Sequence, residues 1–178
     1  MAKMTGFLES VVIGVLSSLV ASLIFLFYLT RVRPKIEISD QVARTISASG
    51  KTIYRIKVIN KSRVPIINIK TQLHVMRPTT VPAGIIYISK DITFQQSEIM
   101  ELSKFDTQDK TAAYAYRFRS YDALDDLWSE DSQSYLRFRI RATHSVSGFT
   151  RVFRKDYYTR RNSIMYGEFD FGNSMKIR

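Results

Sequence analysis

Leu136-Arg137-Phe138-Arg139-Ile140-Arg141-Ala142-Thr143 alternates one apolar with one polar side chain along its whole length. Successive side chains of an extended strand point to opposite faces, so this period of two describes a strand with one dry face and one wet face. The pattern recurs on both sides of it. Tyr54, Ile56 and Val58 alternate with Arg55 and Lys57. Ile67, Ile69, Thr71, Leu73 and Val75 alternate with Asn68, Lys70, Gln72 and His74. Tyr114, Tyr116 and Phe118 alternate with Ala115, Arg117 and Arg119. Shorter strands are expected at Lys35–Ser39, Ile85–Ile88, Phe149–Asp156 and Ile164–Phe171. Turn signals separate them: Ser49-Gly50, Asn60-Lys61-Ser62, Arg77-Pro78, Pro82-Ala83-Gly84 and Ser145-Val146-Ser147-Gly148. A short helix is expected near Tyr121–Ser129, with Asp122 as its cap and Leu124, Leu127 and Trp128 at helical spacing. Ser103–Thr111 reads as a loop. Such a run of alternating strands predicts an all-β, immunoglobulin-like antiparallel sandwich with one short helix. The 11 Phe and 10 Tyr supply its core, because many of them fall on the inward sets.

The beginning of the chain has another period. Ser10 to Thr30 carries no charge and is dominated by Val, Leu, Ile and Phe. At ~1.5 Å per residue, a helix of that length matches the ~30 Å hydrocarbon core of a bilayer. Phe7, Phe25, Phe27 and Tyr28 suit its interfaces. The run ends in Phe27-Tyr28-Leu29-Thr30-Arg31-Val32-Arg33-Pro34, which offers no small-residue cleavage site, so an uncleaved single-pass anchor is expected rather than a signal peptide. The division is an anchor over residues 1–32 and a β-domain over 33–178. Arg31, Arg33 and Lys35 directly follow the span, and the positive-inside rule then places the β-domain in the cytoplasm, beneath an inner or plasma membrane. Gly6, Ser10, Gly14, Ser18 and Ser22 recur every fourth residue, with Ser17 and Ala21 widening the stripe. Small residues in that register let helices approach closely in lipid, so a homo-oligomer is expected. A Ser-lined stripe facing water in an oligomeric pore is the alternative.

The segment from Tyr54 through Asn60, Lys61, Ser62 and Pro65 to Lys70 resembles the early strands of the cytoplasmic domain of inward-rectifier potassium channels. So does the later order of Tyr157, Tyr158, Ile164, Gly167 and Phe169. The resemblance implies a cytoplasmic immunoglobulin-like sandwich assembled around an axis. It does not extend to conduction, because the pore helix, the filter sequence and a second membrane helix have no counterpart in the sequence.

The net charge is +11, from 27 basic and 16 acidic residues, and it is uneven. Residues 31–77 and 137–178 are strongly basic, whereas 78–136 are acidic. Anionic partners are favoured. The chain has no cysteine, which excludes disulfide scaffolds, thiolate metal sites and thiol nucleophiles. His74 and His144 stand alone, without metal-ligand spacing. No nucleophile elbow and no phosphate-cradling glycine loop is present, so no catalytic residue, metal or cofactor is assigned. The acidic group Asp122, Asp125, Asp126, Glu130 and Asp131 reads as a solvated face or as a partner for a neighbouring subunit's arginines. The basic group Arg137, Arg139, Arg141, Arg151, Arg154 and Lys155 reads as an anion site, since guanidinium forks grip phosphate oxygens. Asp156 is expected to neutralise only one of them. Arg31, Arg33, Lys35 and Arg44 are explained by proximity to acidic lipid.

The leading expectation is a non-enzymatic, membrane-anchored oligomeric sensor or effector that binds an anionic ligand such as a nucleotide second messenger. Its layout is analogous to that of antiphage effectors that perturb membranes. A scaffold docking an acidic protein partner, or a lipid-regulated channel-like subunit, is the alternative.

Overall fold

In a computed structural model of the chain, which describes residues 2–129 and 133–178, two compact units appear: Met1–Arg33 and Pro34–Arg178. Glu130 and Asp131 of the acidic group lie outside the described residues.

The first unit is the helix α1 (Ala2–Arg31). Its stretch Ser10–Leu29 has a mean hydropathy of 2.5 and none of it is buried within the chain, so it is long and apolar enough to cross a membrane. Ser17 satisfies its hydroxyl locally, donating to the carbonyls of Ile13 (2.8 Å) and Gly14 (3.1 Å). The guanidinium of Arg31 lies 4.8 Å from the centre of the Phe27 ring.

The second unit is a two-sheet β-sandwich. One sheet contains β1 (Ile36–Ile38), β2 (Val42–Ile46), β3 (Thr52–Asn60), β7 (Ala115–Ser120) and β10 (Ile164–Tyr166). Here β3 is central, with β1 and β2 on one edge and β7 on the other. Strand β10 joins β2 in the parallel sense, the exception in an otherwise antiparallel domain. The other sheet contains β4 (Ile66–Val81), β5 (Gly84–Ile92), β6 (Glu98–Leu102), β8 (Tyr135–His144) and β9 (Thr150–Tyr157). β4 is 16 residues long; β6 pairs with its first half, β5 with its second, and β8 with its other edge. A register shift between Ile67 and Lys70 accommodates Asn68 at φ 52, a bulge of the kind asparagine tolerates.

The alternation of β8 does what its period requires. Leu136, Phe138, Ile140 and Ala142 are buried, and the intervening arginines face outward. Phe94, Phe118 and Phe138 meet between the sheets with ring centroids 5.6–6.1 Å apart. Trp128 is buried, and its indole N–H donates to the carbonyl of Ser134 at 3.0 Å. Tyr157 is buried too, donating its hydroxyl to the carbonyl of Ser39 (2.8 Å).

Three local expectations are corrected. Arg77-Pro78 is no turn: β4 runs through it to Val81. β8 begins opposite Met76, so from Arg77 onward one edge of β4 is open, where a residue lacking an N–H is tolerated. The short helix is α2 (Leu124–Leu127), and no side chain caps it. Asp122 instead accepts from the Thr93 amide at 2.7 Å. The expected strand Ile164–Phe171 stops at Tyr166, where Gly167 turns the chain at φ 127.

Candidate functional site: two cationic sheet faces

The outer face of the β4–β8–β9 sheet gathers the expected arginines in rows set by register. Arg141 pairs with Lys70 and Val152, Arg139 with Gln72 and Arg154, and Arg137 with His74 and Asp156. Each of these side chains projects away from the core, because its neighbours along the strand project into it.

The six proposed ligands do not form one site. Arg151 and Lys155 lie opposite Ala142 and Phe138, on the inward-facing set of the edge strand β9. Arg151 stacks 5.0 Å from the Phe153 ring, and Lys155 pairs with Asp40. Arg137 is already engaged. Its fork grips Asp156 at 2.9 and 3.1 Å and lies 5.0 Å over Tyr135. That hydrogen bond to Asp156 raises the guanidinium pKa further. Asp156 also touches Arg154 at 3.4 Å, so it serves two arginines rather than one.

Arg139 and Arg141 remain, and they make no ion pair among the described residues. With Lys70, Gln72, Ser97 and Glu98 they line an open depression of about 450 Å³. Lys70 is paired there with Glu98 at 2.5 Å. Arg139 is left directly opposite Arg154, an arrangement of like charges that destabilises a bare sheet.

Sequence reasoning missed a second cationic face, on the outer side of the β1–β3–β7 sheet. Arg55 lies opposite Arg119, and Lys57 opposite Arg117. The signal was present as the polar half of the two alternations, but nothing local joined β3 to β7. Residues 168–178 cross this face. Lys57 is 1% exposed beneath them, and its ammonium donates to the carbonyls of Asp170 and Ser174, each at 2.7 Å. Burial lowers its pKa to about 8, and the neighbouring Arg117 acts in the same direction. Arg55 hydrogen-bonds Thr45 and pairs with Glu168 at 3.2 Å, and Arg178 takes Asp170 at 2.9 Å.

The remaining expected groups have structural partners. Asp125 forms ion pairs with Arg44 and Arg160 of the same chain, each at 2.8 Å. Arg44 thus has partners within the domain, Asp125 and the rings of Tyr54 and Tyr166. His74 contacts Asp91 at 2.7 Å. His144 is buried, and desolvation lowers its pKa. Among the described residues no group of three or more His, Asp or Glu side chains converges as a metal site would require.

No protein-family model matches the chain, and no curated protein matches it. Among solved structures, a crystal structure of a protein from Archaeoglobus fulgidus aligns over 72% of this chain and 98% of its own, at 12% identity and a TM-score of 0.22.

Proposed function

We propose that the chain is a non-enzymatic, membrane-anchored sensor or effector whose β-domain, on the cytoplasmic side, binds a phosphate-bearing anion on the outer face of the β4–β8–β9 sheet. One observation carries the reading: Arg139 and Arg141 share an open depression without a carboxylate of their own, with Arg139 held against Arg154. A nucleotide second messenger suits that chemistry, since its phosphates offer oxygens to two guanidinium forks at once. Ligand binding would alter packing between anchors in a homo-oligomer and perturb the membrane, as in antiphage defence.

Thermal shift of the full chain in detergent, against nucleotides, cyclic oligonucleotides, inositol phosphates and acidic lipids, tests this at two salt concentrations. A ligand at ~100 times its dissociation constant should add roughly 2.7 kcal/mol of apparent stability. Arg139→Ala should remove most of that increment and leave the ligand-free protein equally stable or more so, because it relieves the Arg154 repulsion. A fall in ligand-free melting temperature together with no ligand response would refute the reading.

The anchor is tested separately. A side chain added at Gly14 meets nothing within 4 Å in its own chain. Replacing Gly14 and Ser18 with Ile should therefore reduce oligomer size in mild detergent through contacts between chains alone. An unchanged size would assign assembly to the β-domain.

A second reading, a scaffold for a protein partner, draws on the far end of the β4–β5 hairpin. Ile85, Ile86, Tyr87 and Ile88 are 49–63% exposed there, a concentration of apolar surface that soluble domains usually cover.

A further inference from the structure

The second cationic face contains an open pocket outside the Arg139 depression. Lys57, Arg117 and Arg119 border an open cavity of about 220 Å³ that Thr111, Phe171 and Gly172 also line. That is well above the ~10–15 Å³ that a single water requires. We propose that this cavity between the β3–β7 face and residues 171–172 is a binding site for a phosphate group.

The charge balance of the lining comes first. The carboxylates nearby are committed elsewhere: Glu168 to Arg55, Asp170 to Arg178, and Asp109 to the Thr111 hydroxyl and the amides of Thr111 and Ala113. Lys57, Arg117 and Arg119 have no carboxylate partner among the described residues. Three cations thus share one pocket, with the Asp170 carboxylate, itself paired with Arg178, acting on Lys57 from nearby.

Donor geometry comes second. An ammonium has three N–H donors, and Lys57 spends two on Asp170 and Ser174. Arg117 gives one N–H to the Asp170 carbonyl at 3.1 Å, which leaves the rest of its fork. Arg119 is exposed at the mouth. Lys57 and Arg117 are register partners, about 5 Å apart at Cβ, and Arg119 follows two residues on along the same face. A tetrahedral oxyanion reaches three such donors at once, and a phosphate dianion relieves the repulsion that the pairing builds in. Burial and the neighbouring Arg117 both lower the Lys57 pKa, a cost that an anion beside them would offset.

The site differs from the Arg139 depression in sheet and residues, so the two are separable by mutation. The experiment is a titration of the full chain in detergent with inorganic phosphate at constant ionic strength, read by ³¹P line broadening. Saturable binding at one phosphate per chain is expected in the Arg139→Ala chain, which lacks the first site, and Arg119→Ala added to it should weaken that binding at least tenfold. Arg119 is exposed, and unchanged circular dichroism will show that the variant keeps the fold. Absence of saturation in the Arg139→Ala chain, or binding there that Arg119→Ala leaves unchanged, overturns the proposal. Nanodiscs identify the source of the group. If phosphatidic acid in the bilayer abolishes phosphate binding that phosphatidylcholine leaves intact, the site takes a lipid headgroup. Equal binding in both assigns it a soluble phosphate. Either result supports the phosphate site.

Discussion

Gly167→Ala should lower the melting temperature of the full chain by roughly 5–15 °C and expose residues 168–178 to protease. A Cβ at this position would lie 2.1 Å from the carbonyl oxygen of Arg178, and φ is 127, a region that L side chains rarely adopt. The backbone cannot give way cheaply, because it is bonded on both sides. The Gly167 amide donates to Arg44, and Glu168 and Arg178 exchange amide–carbonyl bonds at 2.7 and 2.9 Å. Backbone strain of this kind costs ~1–3 kcal/mol before the clash is added. Each kcal/mol moves the midpoint by ~2–4 °C in a chain of this size. Phe169, 4% exposed and bridged to Ile177, should become a chymotrypsin site. A variant with an unchanged midpoint and a protected Phe169 would contradict the close approach.

The second large effect is a stability maximum near pH 10. Lys57 has a folded pKa of about 8, against 10.5 in the unfolded chain. Between those values the unfolded state binds the extra proton, so stability rises with pH across that window and is flat below it. At ~1.4 kcal/mol per unit, the rise is about 3 kcal/mol. Above pH 10 the sign reverses. Tyr54 and Tyr157 are buried, desolvation raises both phenols, and unfolded tyrosines ionise first. Protons then leave the unfolded state, and stability falls. Denaturant midpoints of the full chain at pH 7, 9, 10 and 11 should trace this maximum. Lys57→Met should remove the rising limb and keep the falling one. A variant with the same rise would assign it to other groups.

The apolar alternation of Leu136–Ala142, Tyr54–Val58 and Ile69–Val75 was legible in the sequence because burial imposes it residue by residue. So was the long apolar helix. Strand β2 was not, since Val42–Ile46 is short, puts Arg44 on the same face as Val42 and leaves Ile46 exposed. Strand β6 hid behind Met100, an apolar residue that the fold leaves 89% exposed. The candidate sites were half legible. Alternation put Arg137, Arg139 and Arg141 on one face of one strand, but only the β8–β9 register reveals that Arg154 joins them while Arg151 and Lys155 do not. For Lys57 even the polarity misled: an outward-facing lysine in a strand is normally wet. It is buried because a segment 113 residues away lies over it. No period within β3 carries that information.

The same separation sets an order of events at the ribosome. At ~5–20 residues per second, Asp170 is synthesised roughly 6–23 seconds after Lys57. By then the anchor helix has long since emerged and is available to the insertion machinery. During that interval β3 and β7 can pair, but their cations stand open to any polyanion near the exit site. The nascent domain is therefore stickier toward nucleic acid and acidic headgroups than the finished one, and the emergence of residues 168–178 from the ribosome closes that period.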